Sequence, residues 1–408
     1  MHLSLQPPLL RLPSLLTPSR HIAPNTQTAP NTQPAPNTQT APTAVAAPAA
    51  TAVDPASVGM DRRHLHRAVD LVRRRNASAQ LCVLRHGEVV LNEAVACAPD
   101  SLFWMFSTTK PYTTTLVHLM AERGTVDLDE RVATYWPEFG RHGKDRITLR
   151  HVLQHRTGFS TAGSPIRDLL SCVDWQQAVR AIEATRPRRE PGGDPAYQFL
   201  IFGFILGEVL QRVTGRPFAD LMRQELLIPL GVRDTHLGIG ADEWSRQVPV
   251  VFRHLGGRVA AGGINRPGTR QAIMPSAGMS GTAYDTARFF QMLLAGGRVG
   301  GRQLIRPETI AAARTPSSTG ERDRFCHTRI PWSYGFQLGG SRGPGGIPPF
   351  GYRSTSDTFG HNGSNCCVAW ADPDHDLAFA YLTNLRTHRN DDMAHLAAVA
   401  DEVFAACR

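Results

Sequence analysis

Lysine is nearly missing from this chain. Of 44 Lys+Arg residues among 408, only Lys110 and Lys144 are lysines, and arginine supplies the rest of a formal net charge of +9. Arginine does not give up its proton in a protein, whereas lysine can. A position that keeps lysine against this bias is therefore a candidate for proton chemistry. Long apolar runs are missing as well: none reaches the roughly 18 residues that span a bilayer, so no membrane partner is expected and the chain reads as soluble. The seven cysteines (Cys82, Cys97, Cys172, Cys326, Cys366, Cys367, Cys407) form no CxxC pair and no metal-like spacing. Reduced, mostly buried thiols in a cytoplasmic protein are expected, with no metal and no cofactor. The basic residues are scattered, without interleaved aromatic residues, so the positive charge does not point to a nucleic-acid partner.

The first 53 residues also lack apolar bulk. APNTQT, APNTQP and APNTQT follow one another from Ala23 to Thr40, and Ala/Pro/Thr continues to about Val53. Nothing there offsets the entropy of ordering, so 1–53 is expected to be a disordered tail. Its leading MHLSLQPPLLRLPSLL has no basic start and is broken by prolines, unlike a secretory signal. The remainder, 54–408, is expected to hold the folded domain.

Periodicity places the elements of that domain. VGMDRRHLHRAVDLVRRR (Val58–Arg75) reads as an amphipathic helix, and LCVLRHGEVVLNEAVA (Leu81–Ala96) as two strands joined at His86-Gly87. Ser101–Gly124 reads as a helix, with Pro111 early enough to be tolerated. Tyr197–Gly215 is apolar nearly all round and reads as a buried helix, and Thr282–Gly297 as another helix closed by glycines. Trp332–Gly339 reads as a strand, Ser364–Leu385 as a hairpin turning at Asp372–Asp376, and Asp391–Cys407 as a final helix. The fold class is therefore α+β. An antiparallel sheet lobe (about 54–105 and 332–408), flanked by the terminal helices, encloses a mostly helical lobe (about 106–331), with a cleft between the two.

Three features carry chemistry. Ser107-Thr-Thr-Lys110 places a hydroxyl and an amine one turn apart, so a neutral Lys110 could take the Ser107 proton. The apolar run Leu102–Phe106 before it favours a desolvated lysine of lowered pKa. Tyr197 follows the loop Pro191–Pro195 and could relay protons into the cleft. In Phe359-Gly-His361-Asn-Gly363-Ser364 the glycines let a strand approach the nucleophile, and N–H groups of Ser107 and Ser364 could form an oxyanion hole.

Ser-x-x-Lys, then Tyr, then His-x-Gly in this order resembles the β-lactamase-related serine hydrolases, nearest to the family VIII carboxylesterases and similar to class C β-lactamases. LRHVLQHRTGF (Leu149–Phe159), IPLGVRDTHLG (Ile228–Gly238) and Met274–Gly297 match further stretches of that family. The resemblance covers about Asp54 to Arg408 and implies the β-lactamase/transpeptidase-like fold. It also implies two-step acyl transfer through Ser107, with Lys110 and Tyr197 as base pair and His361 in the third motif.

Two departures bear on substrate. The second motif is Tyr197-Gln198-Phe199, with Phe199 where many relatives have an amide-bearing Asn, and the third carries His361 in place of a lysine. With Gln198, Phe199 and Gly363 as substrate contacts, both changes favour a neutral, partly apolar ester. A small-molecule ester or amide is thus the expected partner. The competing readings are a β-lactamase or D-amino-acid peptidase, an acyltransferase using the same nucleophile, and a non-catalytic binding module.

Overall fold

The computed structural model describes residues 51–253, 256–318, 320–340 and 346–408. The expected tail lies outside these residues except for 51–53. There the Val53 N–H already donates to the Val89 carbonyl (2.8 Å), so the ordered chain reaches back into the expected tail.

The elements that position the site are, in chain order, α1 (Arg62–Arg74), β1 (Ala79–Arg85), β2 (Glu88–Val95), α2 (Lys110–Glu122), α3 (Ile201–Thr214), α4 (Ala283–Leu294), β3 (Gln337–Leu338), β4 (Phe359–Gly363), β5 (Cys367–Asp372), β6 (Leu377–Thr383) and α5 (Arg389–Ala406). The six strands form one sheet in the order β2-β1-β6-β5-β4-β3, and each neighbouring pair is antiparallel. First and last parts of the chain thus meet at β1 and β6, as expected from strands at both ends of the domain.

Strand alternation explains how the sheet lies in the middle of the domain. Leu81, Val83, Val368, Trp370, Leu377, Phe379 and Tyr381 face one side and pack on α1 and α5. Their neighbours Cys82, Leu84, Cys367, Ala369, Ala371, Ala378, Ala380 and Leu382 face the other side, toward α4 and the helical part. With both faces covered, β1, β5 and β6 are buried along their whole length. Helix α1 supplies Leu65, Ala68, Val69 and Val72 at helical spacing, and its start is capped by the Asp61 carboxylate, which accepts from the Arg63 N–H. Trp370 ties the layers together by stacking on Phe379 and on Phe404 of α5, each at 4.7 Å between ring centres. Replacing it with alanine would cost about 3–5 kcal/mol.

Several expected elements are revised. Ser101–Gly124 is not one helix. Phe103–Trp104 pairs as a strand with Met279–Gly281, which also pairs with Thr235–Leu237 in a small three-stranded sheet. Of the expected strand Trp332–Gly339 only Gln337–Leu338 joins the main sheet. Within the helical lobe, the stretches Thr161–Asp174 and Gly256–Ala272 contain the helices Pro165–Ser171, Gly257–Ile264 and Pro267–Gln271. The first of these is started by Ser164, whose hydroxyl accepts from the Arg167 N–H, and by Pro165 at its opening position.

Candidate active site

The chain reverses sharply between the strand Phe103–Trp104 and α2. Phe106 takes up the reversal at φ 50°, a left-handed conformation that costs a bulky residue free energy and persists only where its surroundings hold it. Here the Met105 N–H donates to the Met279 carbonyl (2.9 Å), anchoring the chain just before the turn. Phe106–Thr109 then form a 3-10 turn and α2 begins at Lys110. A 3-10 turn eclipses residues three apart, so Ser107 and Lys110 share a face although the regular helix starts only at the lysine.

Ser107 Oγ lies between two groups. Lys110 Nζ is 3.4 Å away and the Tyr197 hydroxyl donates to Oγ at 2.7 Å. Lys110 is fully buried and also donates to the carbonyls of Phe199 (2.9 Å) and Ser276 (3.3 Å). Its amine lies 4.7 Å from the centre of the Tyr197 ring. Burial holds the Lys110 pKa well below the usual lysine range. Burial also raises the Tyr197 hydroxyl above the ordinary tyrosine value, against the opposing effect of its bond to Ser107. Burial thus disfavours the ammonium form of Lys110 and the phenolate form of Tyr197, the two groups that flank the Ser107 hydroxyl. The Ser276 carbonyl reaches Lys110 because Gly203 lets α3 come close: a Cβ there would lie 2.5 Å from the Pro275 carbonyl carbon.

Tyr197 was expected to open the buried helix, but that helix begins at Ile201 and Tyr197 sits in the preceding loop. Residues that sequence reasoning did not single out hold it there. Asp323 is fully buried and its carboxylate accepts from the Tyr197 N–H (2.9 Å), the Trp332 indole (3.1 Å) and the N–H groups of Phe325 (2.9 Å) and Cys326 (2.8 Å). Trp332 stacks on the phenol ring at 5.5 Å, nearly parallel, and His155 packs edge-on at 5.0 Å. Burial, with the neighbouring Lys110 as the next cause, keeps His155 well below the usual histidine range and hence neutral. His155 lies within Leu149–Phe159, which the motif comparison marked without giving the histidine a role. For Asp323 and Trp332 no local pattern existed.

Gln198 is fully buried, and both ends of its amide are engaged inside the protein. Nε2 donates to Thr157 (2.9 Å) and Oε1 meets His155 Nδ1 (3.3 Å). These bonds make it a framework residue and not the expected substrate contact. Phe199 is part-exposed and stacks on Phe325 at 6.2 Å.

Strand β4 brings the third motif beside the turn that carries Ser107. Thr108 donates to the His361 carbonyl (3.4 Å), and a Cβ on Gly363 would lie 2.3 Å from the Met105 carbonyl oxygen, so only glycine allows this approach. The His361 ring is buried, with Nδ1 at 2.8 Å from the Asn362 carbonyl, and lies 6.0 Å from the Tyr197 ring. Ser364 (φ 53°) and Asn365 (φ 61°) turn the chain from β4 to β5. Asn362 braces that turn: its side chain accepts from the Asn365 N–H (2.9 Å) and donates to the Asn365 side chain (2.7 Å). Among the described residues no three His, Cys, Asp or Glu side chains are grouped as a metal ion would need.

The chain is similar to several known proteins. The beta-lactamase family model matches residues 60–403. The chain is 29% identical over 318 residues to the esterase/beta-lactamase LipL of Mycobacterium tuberculosis, covering 71% of each protein. It is 25% identical over 327 residues to a putative D-alanyl-D-alanine carboxypeptidase of Escherichia coli, covering 73% of this chain and 72% of that one. Among solved structures, a family VIII carboxylesterase superposes with a TM-score of 0.72 at 26% identity, over 85% of this chain and 99% of the other.

Proposed function

The chain belongs to the beta-lactamase family, and from that premise we propose that it is a serine hydrolase of carboxylic esters, acting through a covalent acyl-enzyme on Ser107. One observation carries the reading: Ser107 Oγ sits between the desolvated Lys110 amine and the Tyr197 hydroxyl. With its two N–H bonds directed at the carbonyls of Phe199 and Ser276, a neutral Lys110 turns its lone pair to Ser107. As Oγ bonds to the ester carbonyl carbon, its proton passes to Lys110 and the carbonyl electrons move onto oxygen. The N–H groups of Ser107 and Ser364 receive that oxyanion. The C–O bond to the alcohol then breaks, and the departing oxygen takes a proton through Tyr197, whose raised pKa keeps it protonated for this task. Water next attacks the acyl-enzyme, with the Lys110/Tyr197 pair accepting its proton; the acyl–Oγ bond then breaks, Ser107 Oγ takes that proton back, and the acid leaves.

Phe199 and His361 supply an apolar wall and remove a fixed charge from the third motif, which supports esters over β-lactams. The resemblance to a carboxypeptidase keeps peptidase chemistry as the second reading. Seven free thiols support a cytoplasmic location, and among the described residues no helix is long and apolar enough to cross a membrane.

The test is turnover of 4-nitrophenyl esters and labelling by a fluorophosphonate, for the native chain and for Ser107→Ala. Loss of both on substitution is expected, and equal rates would remove Ser107 from the mechanism. Nitrocefin hydrolysis outpacing ester hydrolysis would favour the second reading.

A further inference from the structure

Beyond the nucleophile, a cavity of about 600 Å³ opens between the loop 158–165 and the segment 184–189. Its charged lining consists of Arg167, Arg186, Arg188, Arg189 and Arg324, with no aspartate or glutamate. Among the described residues only Arg324 is answered by a carboxylate, that of Asp194 (2.8 Å from Nε). Arg167, Arg186, Arg188 and Arg189 are exposed and form no ion pair among the described residues, although the charge of Arg167 acts on the Asp168 carboxyl.

The walls are fixed in place. The Arg188 N–H donates to the Gly158 carbonyl (3.1 Å), and the Asp168 carboxylate accepts from the Ala162 N–H (2.7 Å), tethering the loop. Arg167 folds back over Gly163, where a Cβ would lie 3.1 Å from its Nη1. Like charges gathered this way repel one another. Such a lining favours an anion, and a carboxylate or phosphate can accept two N–H groups from a guanidinium.

The cavity also borders the reaction centre. Phe325 lines it and packs against Tyr197, with ring centres 6.1 Å apart. The Phe199 N–H donates to the Ser160 carbonyl of the cavity loop (3.0 Å), while the Phe199 carbonyl accepts from Lys110 (2.9 Å). Phe325, stacked on Phe199 at 6.2 Å, thus touches both the cavity and Tyr197.

We propose that this cavity receives an anionic group, carboxylate or phosphate, carried on the ester that Ser107 cleaves. The inference rests on the ester-hydrolase reading, and it modifies the expectation of a wholly neutral substrate. The positive charge that His361 does not supply at β4 would come instead from the cavity lined by Phe325, the neighbour of Tyr197.

The test compares 4-nitrophenyl pentanoate with the 4-nitrophenyl monoesters of succinate, glutarate and adipate, and with 4-carboxyphenyl pentanoate. The first series carries the anion on the acyl side and the last compound on the alcohol side. In one arm, kcat/KM relative to the neutral ester should exceed unity at low salt. That ratio should fall about tenfold or more when Arg167, Arg186, Arg188 and Arg189 are together replaced by Gln. A ratio unchanged by the replacement overturns the proposal. Should the fourfold variant fail to fold, Arg167→Gln and Arg189→Gln singly must each lower the ratio.

Calorimetric binding of free glutarate to Ser107→Ala, with and without the arginines, separates the two claims. If no ester is turned over, the Ser107 reading fails, while arginine-dependent glutarate binding still supports the cavity. Binding that does not depend on the arginines counts against the cavity.

Discussion

The only two lysines of the chain form a natural comparison. Both are buried with no exposed surface, and both point their amines at backbone carbonyls. Lys144 donates to the carbonyls of Arg141 (2.9 Å), Glu183 (3.0 Å) and Thr185, with the Phe139 ring 5.6 Å away. Lys110 donates to those of Phe199 and Ser276, with the Tyr197 ring beside it. The difference lies in the third partner: a carbonyl for Lys144, the Ser107 hydroxyl for Lys110. Three carbonyls satisfy an ammonium ion, whereas two carbonyls and a hydroxyl suit a neutral amine that can accept a proton. Burial lowers Lys144 only to about 8 but holds Lys110 well below the lysine range. Burial alone therefore does not distinguish the two lysines; the neighbouring hydroxyl does.

Substitution offers the largest test of that contrast. Lys110→Met should lower kcat/KM by about 10³–10⁴-fold with little change in fold, since the methionine fills the same slot. A loss of less than tenfold would place the base elsewhere. Tyr197→Phe should cost about 10²-fold, because the ring still stacks on Trp332 and only the relayed proton is lost.

The pH profile comes next. Since Lys110 must be neutral to accept a proton, kcat/KM should fall on the acid side through its lowered pKa. Tyr197, raised by burial, should add no alkaline limb below the ordinary tyrosine range. An acid limb that persists in Lys110→Met would assign it to another group.

Lys144→Met should leave kcat unchanged and lower stability by about 2–4 kcal/mol, because carbonyls lose their donor. Its linkage has a definite sign. With a native pKa of about 8 and the ordinary value of 10.5 when unfolded, the unfolded chain binds more protons between those limits. The Lys144 contribution to stability therefore rises with pH across that window, and the variant should lose that part of the slope of Tm against pH. Loss of kcat in Lys144→Met at unchanged stability would erase the distinction between the two lysines.

Much of the fold was legible because burial leaves a period in the residues. Leu65, Ala68, Val69 and Val72 spell a helix face, and β1, β5 and β6 alternate between two packed layers. Ser107, Lys110, Tyr197 and His361 were legible as an ordered set of motifs, and the fold brings them together. The turn at Phe106 was not legible. Leu102–Met105 suits a buried helix as well as a strand, and only pairing with Met279–Gly281 decides for the strand. Likewise Gln198, next to Tyr197 in sequence, is drawn inward by Thr157 and His155.

Taken by itself, then, the sequence determined the α+β layering, the order of the motifs and the scarcity that drew the eye to Lys110. Each of these is written in local spacing or composition. The tertiary structure alone decided which lysine faces a hydroxyl, which carboxylate holds Tyr197 and which arginines share a cavity. Asp323 lies 126 residues beyond Tyr197 and Arg324 far beyond the segments 158–167 and 184–189, and no periodicity links residues that only folding makes neighbours.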